Sequence, residues 1–217
     1  TARVMDNFGL SKLYIVNPRD GWQSKTAENS AKHGKNIIKK VKNFTSLDEA
    51  VSKFNLVIAT TNRKRFLTKK TYNNFSDLKK KIINFKNTAI LFGPENSGLS
   101  NQDLRLTNYI FTIKTACLNK SLNLSHAVSV ISYELFNSKK AKSNCAENYE
   151  YANKLDLSNF IDVLIKDLDS KRFFNPQEKK ESMIDNIYSI YNKMDLTKKE
   201  LRMLWGMHKK LKNLPKL

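Results

Sequence analysis

Four short, almost continuously apolar runs constrain the first half of this chain more than any other feature. They are Leu13-Tyr14-Ile15-Val16, Leu56-Val57-Ile58-Ala59, Ala89-Ile90-Leu91-Phe92 and Tyr109-Ile110-Phe111-Thr112-Ile113. Each stops at residues that end a strand: Asn17-Pro18, Thr60-Thr61-Asn62, Gly93-Pro94 and the loop 114–120. A strand apolar on both sides must be covered on both sides. Helical stretches between such strands therefore predict one parallel sheet with helices on both faces, an α/β unit.

The intervening segments fit that reading. Ser46-Leu47-Asp48-Glu49 has the Ser-x-x-Glu form of a capping box, which starts a helix by satisfying two of its free N–H groups. Residues 124–136 place Leu124, Val128, Ile131 and Leu135 on one helical face. Beyond residue 136 the pattern changes. The stretch 137–156 lacks apolar periodicity and reads as a linker. Leu157, Phe160, Ile161, Leu164 and Leu168 then recur at helical spacing. Asn175-Pro176-Gln177-Glu178 reads as an N-cap with proline at the first helical position, and Thr197 through Glu200 as a further capping box. The organisation expected is an α/β domain over 1–136, a linker over 137–156 and a helical extension over 157–217.

The charge is strongly one-sided. The 217 residues carry 39 Lys and Arg against 20 Asp and Glu, a formal net charge of +19. Residues 1–136 hold 22 of those cations against 9 anions, and 137–217 hold 17 against 11. A surface this positive attracts polyanions, and nucleic acid is the commonest large one. The Arg63-Lys64-Arg65 run is the densest candidate for phosphate contacts. Two cysteines, Cys117 and Cys145, make no CxxC and no disulfide framework, which suits a reduced, cytoplasmic setting. His33, His126 and His208 lack the paired spacing of metal ligands, so no metal is expected. No run of eighteen apolar residues exists to span a membrane.

Ligands of open α/β sheets bind at the carboxyl ends of the strands. Three loops fall there. The first is Thr60-Thr61-Asn62-Arg63. Next comes Gly93-Pro94-Glu95-Asn96-Ser97-Gly98-Leu99-Ser100, whose single carboxylate sits at a strand end and whose ending is not that of a P-loop. The third runs into Ser121-Leu122-Asn123-Leu124-Ser125, where Ser and Asn also serve as ordinary helix caps.

Taken in order, GPENSGLS, an apolar strand and KSLNLSHAVSVISYEL resemble the second and third motifs of the SpoU branch of the SPOUT methyltransferases. Ala2-Arg3 with Met5-Asp6-Asn7-Phe8-Gly9-Leu10, followed by LYIVNP, is similar to the back half of the first motif. The TrmJ-type tRNA 2′-O-methyltransferases are the nearest pattern, and the resemblance extends into the tail through Phe173-Phe174-Asn175-Pro176 and Glu200-Leu201-Arg202-Met203-Leu204-Trp205-Gly206. The family's first motif opens with a strand and an Asn-x-Gly segment that would lie before Thr1. A chain naturally starting at Thr1 would lack that strand.

The resemblance implies a trefoil-knotted sheet, a homodimer, S-adenosylmethionine as cofactor and a tRNA ribose as substrate, at position 32 of the anticodon loop. It implies cofactor contacts from Thr60, Thr61, Asn62, Gly93, Ile113, Lys120, Ser121 and Leu122. Arg3, Glu95, Ser121 and Asn123 are the expected catalytic set, with Arg3 orienting the hydroxyl rather than removing its proton, because its free pKa lies above about 12. Much of the catalysis expected is positional, a contribution of roughly 7–11 kcal/mol. A ribosomal RNA methyltransferase and a non-catalytic RNA-binding protein of the same fold are the competing readings.

Overall fold

The computed structural model describes residues 1–18, 22, 25–63, 69–116, 121–138 and 149–212. Lys64, Arg65, Cys117, Lys120 and Cys145 lie outside the described residues, as does half of the expected linker, residues 139–148. In chain order come α1 (Ala2–Asn7), β1 (Tyr14–Val16), α2 (Lys25–Ala31), a 3-10 turn (Lys32–Gly34) and α3 (Lys35–Lys39). Then follow β2 (Lys42–Phe44), α4 (Leu47–Val51), β3 (Leu56–Thr60), β4 (Thr71–Tyr72), α5 (Phe75–Ile82) and β5 (Thr88–Phe92). After α6 (Asn101–Arg105), β6 (Tyr109–Phe111) and α7 (Leu124–Ser138), the rest is helical: α8 (Lys154–Ser170), a 3-10 turn (Gln177–Lys179), α9 (Lys180–Lys193) and α10 (Lys198–Lys212).

The main sheet has four parallel strands in the order β4-β6-β3-β5. Its side chains alternate between two cores. Leu56 and Ile58 of β3 with Tyr109 and Phe111 of β6 face one way, under Phe75 and Leu78 of α5 and Ile131 of α7. Ala59 and Ile110 face the other way, under Leu99 and Leu104, the latter on α6. Both faces of the central strands are thus covered, which is why their sequences are apolar throughout.

One strand expectation needs correction, and two strands went unread. The run containing β1 does not join the main sheet; it pairs in parallel with β2, Tyr14 opposite Lys42. Strands β2 and β4 carry no apolar run, being three and two residues long. Strands so short and polar leave no periodicity to read.

Helix starts follow their caps. The Ser46 hydroxyl accepts from the Glu49 amide, although the Glu49 carboxylate turns to Thr45 rather than closing the box. Thr197 and Glu200 form the reciprocal pair expected of them. Asn175 does not cap: Pro176 itself holds the extended N-cap position of the turn 177–179, with no side-chain cap.

The helical tail packs on the α/β unit. Phe160 and Ile161 of α8, Tyr188 of α9 and Leu201 of α10 share a core with Leu106 and, at its margin, Leu47. Polar groups stitch the seam. Asn108 donates to the Asn192 carbonyl and to Asp195, Tyr109 donates to the other Asp195 oxygen, and the Lys154 ammonium reaches Asn192. Lys69 is buried beside them, donating to the carbonyls of Thr107 at 2.5 Å and Arg105 at 3.3 Å. Burial, reinforced by the nearby Lys193 charge, pushes its pKa down to about 7.

The sign of the resulting pH dependence is fixed. A lysine with a lowered folded pKa binds fewer protons folded than unfolded between about pH 7 and 10.5. Stability therefore rises with pH across that window and is lost as pH falls towards 7, at up to about 1.4 kcal/mol per unit. Lys154, fully buried and shifted the same way, adds to it. Urea unfolding at pH 7 and pH 9 should show a more stable protein at pH 9, and Lys69→Met should shrink that difference. A Lys69→Met variant with the parent's full pH difference would contradict the assignment.

Candidate functional site

The three strand-end loops meet around one cavity of about 260 Å³. Thr60, Thr61 and Asn62 form one side, Gly93, Pro94 and Glu95 another, and Ser121 and Leu122 a third, with Ile113 between them. Every described residue expected to contact the cofactor thus lines a single space. The walls also include Phe92, Phe111, Leu124 and Ala127, which the motifs did not single out. Their signal was positional: Phe92 and Phe111 end the strands that the motif loops follow.

The loop after β5 holds its shape by folding back on itself. The Gly98 amide donates to the Pro94 carbonyl at 2.8 Å, and Gly98 has φ of +65°, a region costly for other residues. A Cβ on Gly93 would lie 2.4 Å from the Leu99 amide nitrogen and 2.5 Å from the Gly98 carbonyl carbon. A side chain at position 93 is therefore excluded by the protein's own backbone, while Gly93 itself lines the cavity. Ser100 then opens α6 with a complete capping box to Asp103, which anchors the far end of the loop.

Glu95 and Asn123 are brought together. One Glu95 oxygen accepts from Asn123 Nδ2 at 3.1 Å and, more weakly, from the Leu124 amide at 3.4 Å. The Asn123 oxygen in turn accepts from the Ser125 amide and hydroxyl, capping α7. A carboxylate at a helix N-terminus is favourably placed against the helix dipole. Both residues are exposed, so the tie fixes one wall to another at the cavity rim.

Arg63, expected to contact phosphate, also ties two of the loops together. Its guanidinium donates to the carbonyls of Ser97 at 2.5 Å and Asn96 at 2.9 Å, which clamps the first loop to the second. The Thr60 hydroxyl bonds the Leu91 carbonyl, and Thr112 bonds the Thr61 carbonyl, so the first loop is also held from both neighbouring strands. Arg3 lies apart from these walls. It is exposed on α1, whose Ala2 and Met5 pack with Val128 and Leu124 of α7. Gly34 lets the 3-10 turn approach the start of α1, since a Cβ there would stand 2.6 Å from the Arg3 amide nitrogen. Among the described residues no group of three or more His, Cys, Asp or Glu gathers as metal ligands, and no helix is long and apolar enough to cross a membrane. His208 pairs with Asp167 between α10 and α8 at 2.9 Å.

The sequence profile of the SpoU rRNA Methylase family matches residues 1–133. The chain belongs to the SpoU methylase family. This SpoU-family protein is 31% identical over 214 residues to an uncharacterized tRNA/rRNA methyltransferase of Haemophilus influenzae, covering 95% of this chain and 85% of that one. It is 33% identical over 189 residues to the tRNA (cytidine-2′-O-)-methyltransferase TrmJ of Methanocaldococcus jannaschii, covering 83% and 79%. The crystal structure of TrmJ from Z. mobilis ZM4 superposes with a TM-score of 0.88 over 98% of this chain and 92% of that one, at 31% identity. The likeness therefore includes the helical tail.

Two glycines separate the loop's constraint from a general glycine effect. Gly93→Ala should destabilise the SpoU-family protein by about 1–3 kcal/mol, because the methyl group meets backbone that cannot swing aside. Gly206→Ala, inside α10 with nothing within 4 Å, should be neutral or stabilise by up to about 1 kcal/mol. Denaturant unfolding measures both, and equal effects at the two sites would refute the backbone contact.

Proposed function

We propose that this protein transfers the methyl group of S-adenosylmethionine to a ribose 2′-oxygen of tRNA, in the anticodon loop at position 32. The observation that carries the reading is the assembly of all three motif loops around one strand-end cavity. The full-length similarity to proteins named TrmJ supports it. The cavity suits the cofactor's chemistry: Phe92, Phe111, Ile113 and Leu122 offer apolar walls for a flat base, while Asn62 and Ser121 bring polar side chains to the lining. Thr60, Thr61, Asn62, Gly93, Ile113, Ser121 and Leu122 would hold it, with Lys120 joining from the adjoining segment. The cofactor supplies a methyl group made electrophilic by a positive sulfur.

The chain's own task is to bring a ribose hydroxyl to that methyl in line and keep it there. Glu95 and Asn123 hold the rim rigid, so the hydroxyl meets a fixed wall. The Arg3 guanidinium binds the neighbouring phosphate, which orients the ribose and offsets the charge growing on its oxygen. The proton passes to solvent as the oxygen gains the methyl group. The same reading includes the trefoil knot and the cytoplasmic setting, with residues 1–136 as the catalytic unit and 157–217 as its helical extension. It also includes a homodimer formed on the α1–α7 face, where Phe8 packs against Tyr133 and Phe136 and those two rings remain 53% and 46% exposed.

Arg3→Ala should slow single-turnover transfer of labelled methyl to tRNA by about a hundred- to a thousand-fold. Cofactor affinity, titrated calorimetrically, should stay close to the parent's, because Arg3 is not a wall of the cavity. Transfer at the parent's rate would return Arg3 to an ordinary surface role. Loss of cofactor binding together with transfer would place it inside the cofactor site.

A further inference from the structure

A second, larger cavity of about 490 Å³ opens between β4 and α5. We propose that this groove is an RNA subsite that holds the strand flanking the methylated ribose; the inference rests on tRNA being the substrate. Its wall includes Lys70, Tyr72, Asn73, Lys80, Lys81 and Asn84. The one carboxylate in the lining, Asp77, is already paired with Lys80 at 3.1 Å, so lysine charge dominates the groove.

Position ties the groove to the site already described. All four strands of the main sheet are parallel, so their carboxyl ends form one edge. On that edge Tyr72 of β4 stands beside Phe111 of β6, a wall of the smaller cavity. Thr112 joins the two: its amide donates to the Tyr72 carbonyl at 2.9 Å and its hydroxyl to the Thr61 carbonyl at 2.8 Å. Adjacent strands lie about 4.8 Å apart, so β4 is about 10 Å from β3 and about 14 Å from β5. A strand whose ribose sits over the smaller cavity must leave it in some direction, and this direction is basic.

The lining suits RNA better than other occupants. Proteins that track single strands combine cationic grooves with aromatic faces. Here the Lys70 ammonium lies 5.2 Å from the Tyr72 ring centroid, while Asn73 and Asn84 bring carboxamides able to donate and accept. A protein partner adding a strand would find only two residues of β4 to pair with.

The test is tRNA affinity, by fluorescence anisotropy, across a salt series. Lys81 is left alone because its partner at 3.6 Å, Asp195, also accepts from Asn108 and Tyr109 at the seam of the helical tail. The parent, Lys70→Gln/Lys80→Gln, Asn84→Lys and the distant charge control Lys166→Gln/Lys171→Gln are compared, each beside a calorimetric titration of S-adenosylmethionine. Removing two phosphate contacts should lower the log–log salt slope by about 1.4–1.8, at about 0.7–0.9 per contact, and weaken binding severalfold. Asn84→Lys should steepen the slope, the control should leave it near the parent's, and cofactor affinity should hold in all. A groove variant with the parent's slope, or a control falling equally, overturns the subsite. A parent that binds cofactor but not tRNA refutes the substrate reading itself, and the subsite falls with it.

Discussion

The site depends on one close approach, the packing of backbone at Gly98 and Leu99 against the Cα of Gly93. That contact turns the loop after β5 back on itself. Once it is turned, Glu95 faces the start of α7 and the carbonyls of Asn96 and Ser97 face Arg63. Three loops distant in sequence are then fastened to one another: the first through Arg63, the third through Asn123. A side chain at position 93 would displace all of them together. The cavity is therefore a property of backbone packing at a strand end, with the polar ties adding direction to a shape already set.

The helical tail obeys a different logic. Its apolar core is continuous with the α/β unit through Leu106, yet the seam beside it is polar and buried. Lys69, Lys154, Asn108 and Asn192 satisfy one another and nearby carbonyls. Buried polar groups of this kind contribute little net stability but penalise any misplaced docking, since each lost partner leaves a dry donor or acceptor. Asp195 accepts from both Asn108 and Tyr109, and burial, with that hydrogen bond, holds the Tyr109 hydroxyl far above the usual phenol range. The tail is thereby set on the sheet in one register.

Much of this was legible in the sequence where a single physical cause dominated. Continuous apolar runs marked β3, β5 and β6 because packing against both faces allows little else there. The Thr197–Glu200 box and the apolar face of α7 were equally local signals. Strand β4 was invisible, since two residues show no periodicity, and with it the groove it borders. Position 93 was named as a cofactor contact, but the backbone that crowds it, at Gly98 and Leu99 of the same loop, is brought there only by folding. Arg63 read as part of a basic run; only folding shows that two carbonyls claim its guanidinium. Asn175 looked like a cap by spacing, whereas the extended backbone of Pro176 starts the turn one residue later.

Methyl transfer to a ribose oxygen leaves a mark that no base methylation shares, a phosphodiester resistant to alkali. Purified protein, unmodified tRNA and methyl-labelled S-adenosylmethionine, followed by alkaline digestion and mass spectrometry of the resistant dinucleotide, read the account's central claim directly. The label should appear as 2′-O-methylcytidine or 2′-O-methyluridine from position 32. Label on a base, or tRNA left unlabelled by a protein that binds the cofactor, would contradict it.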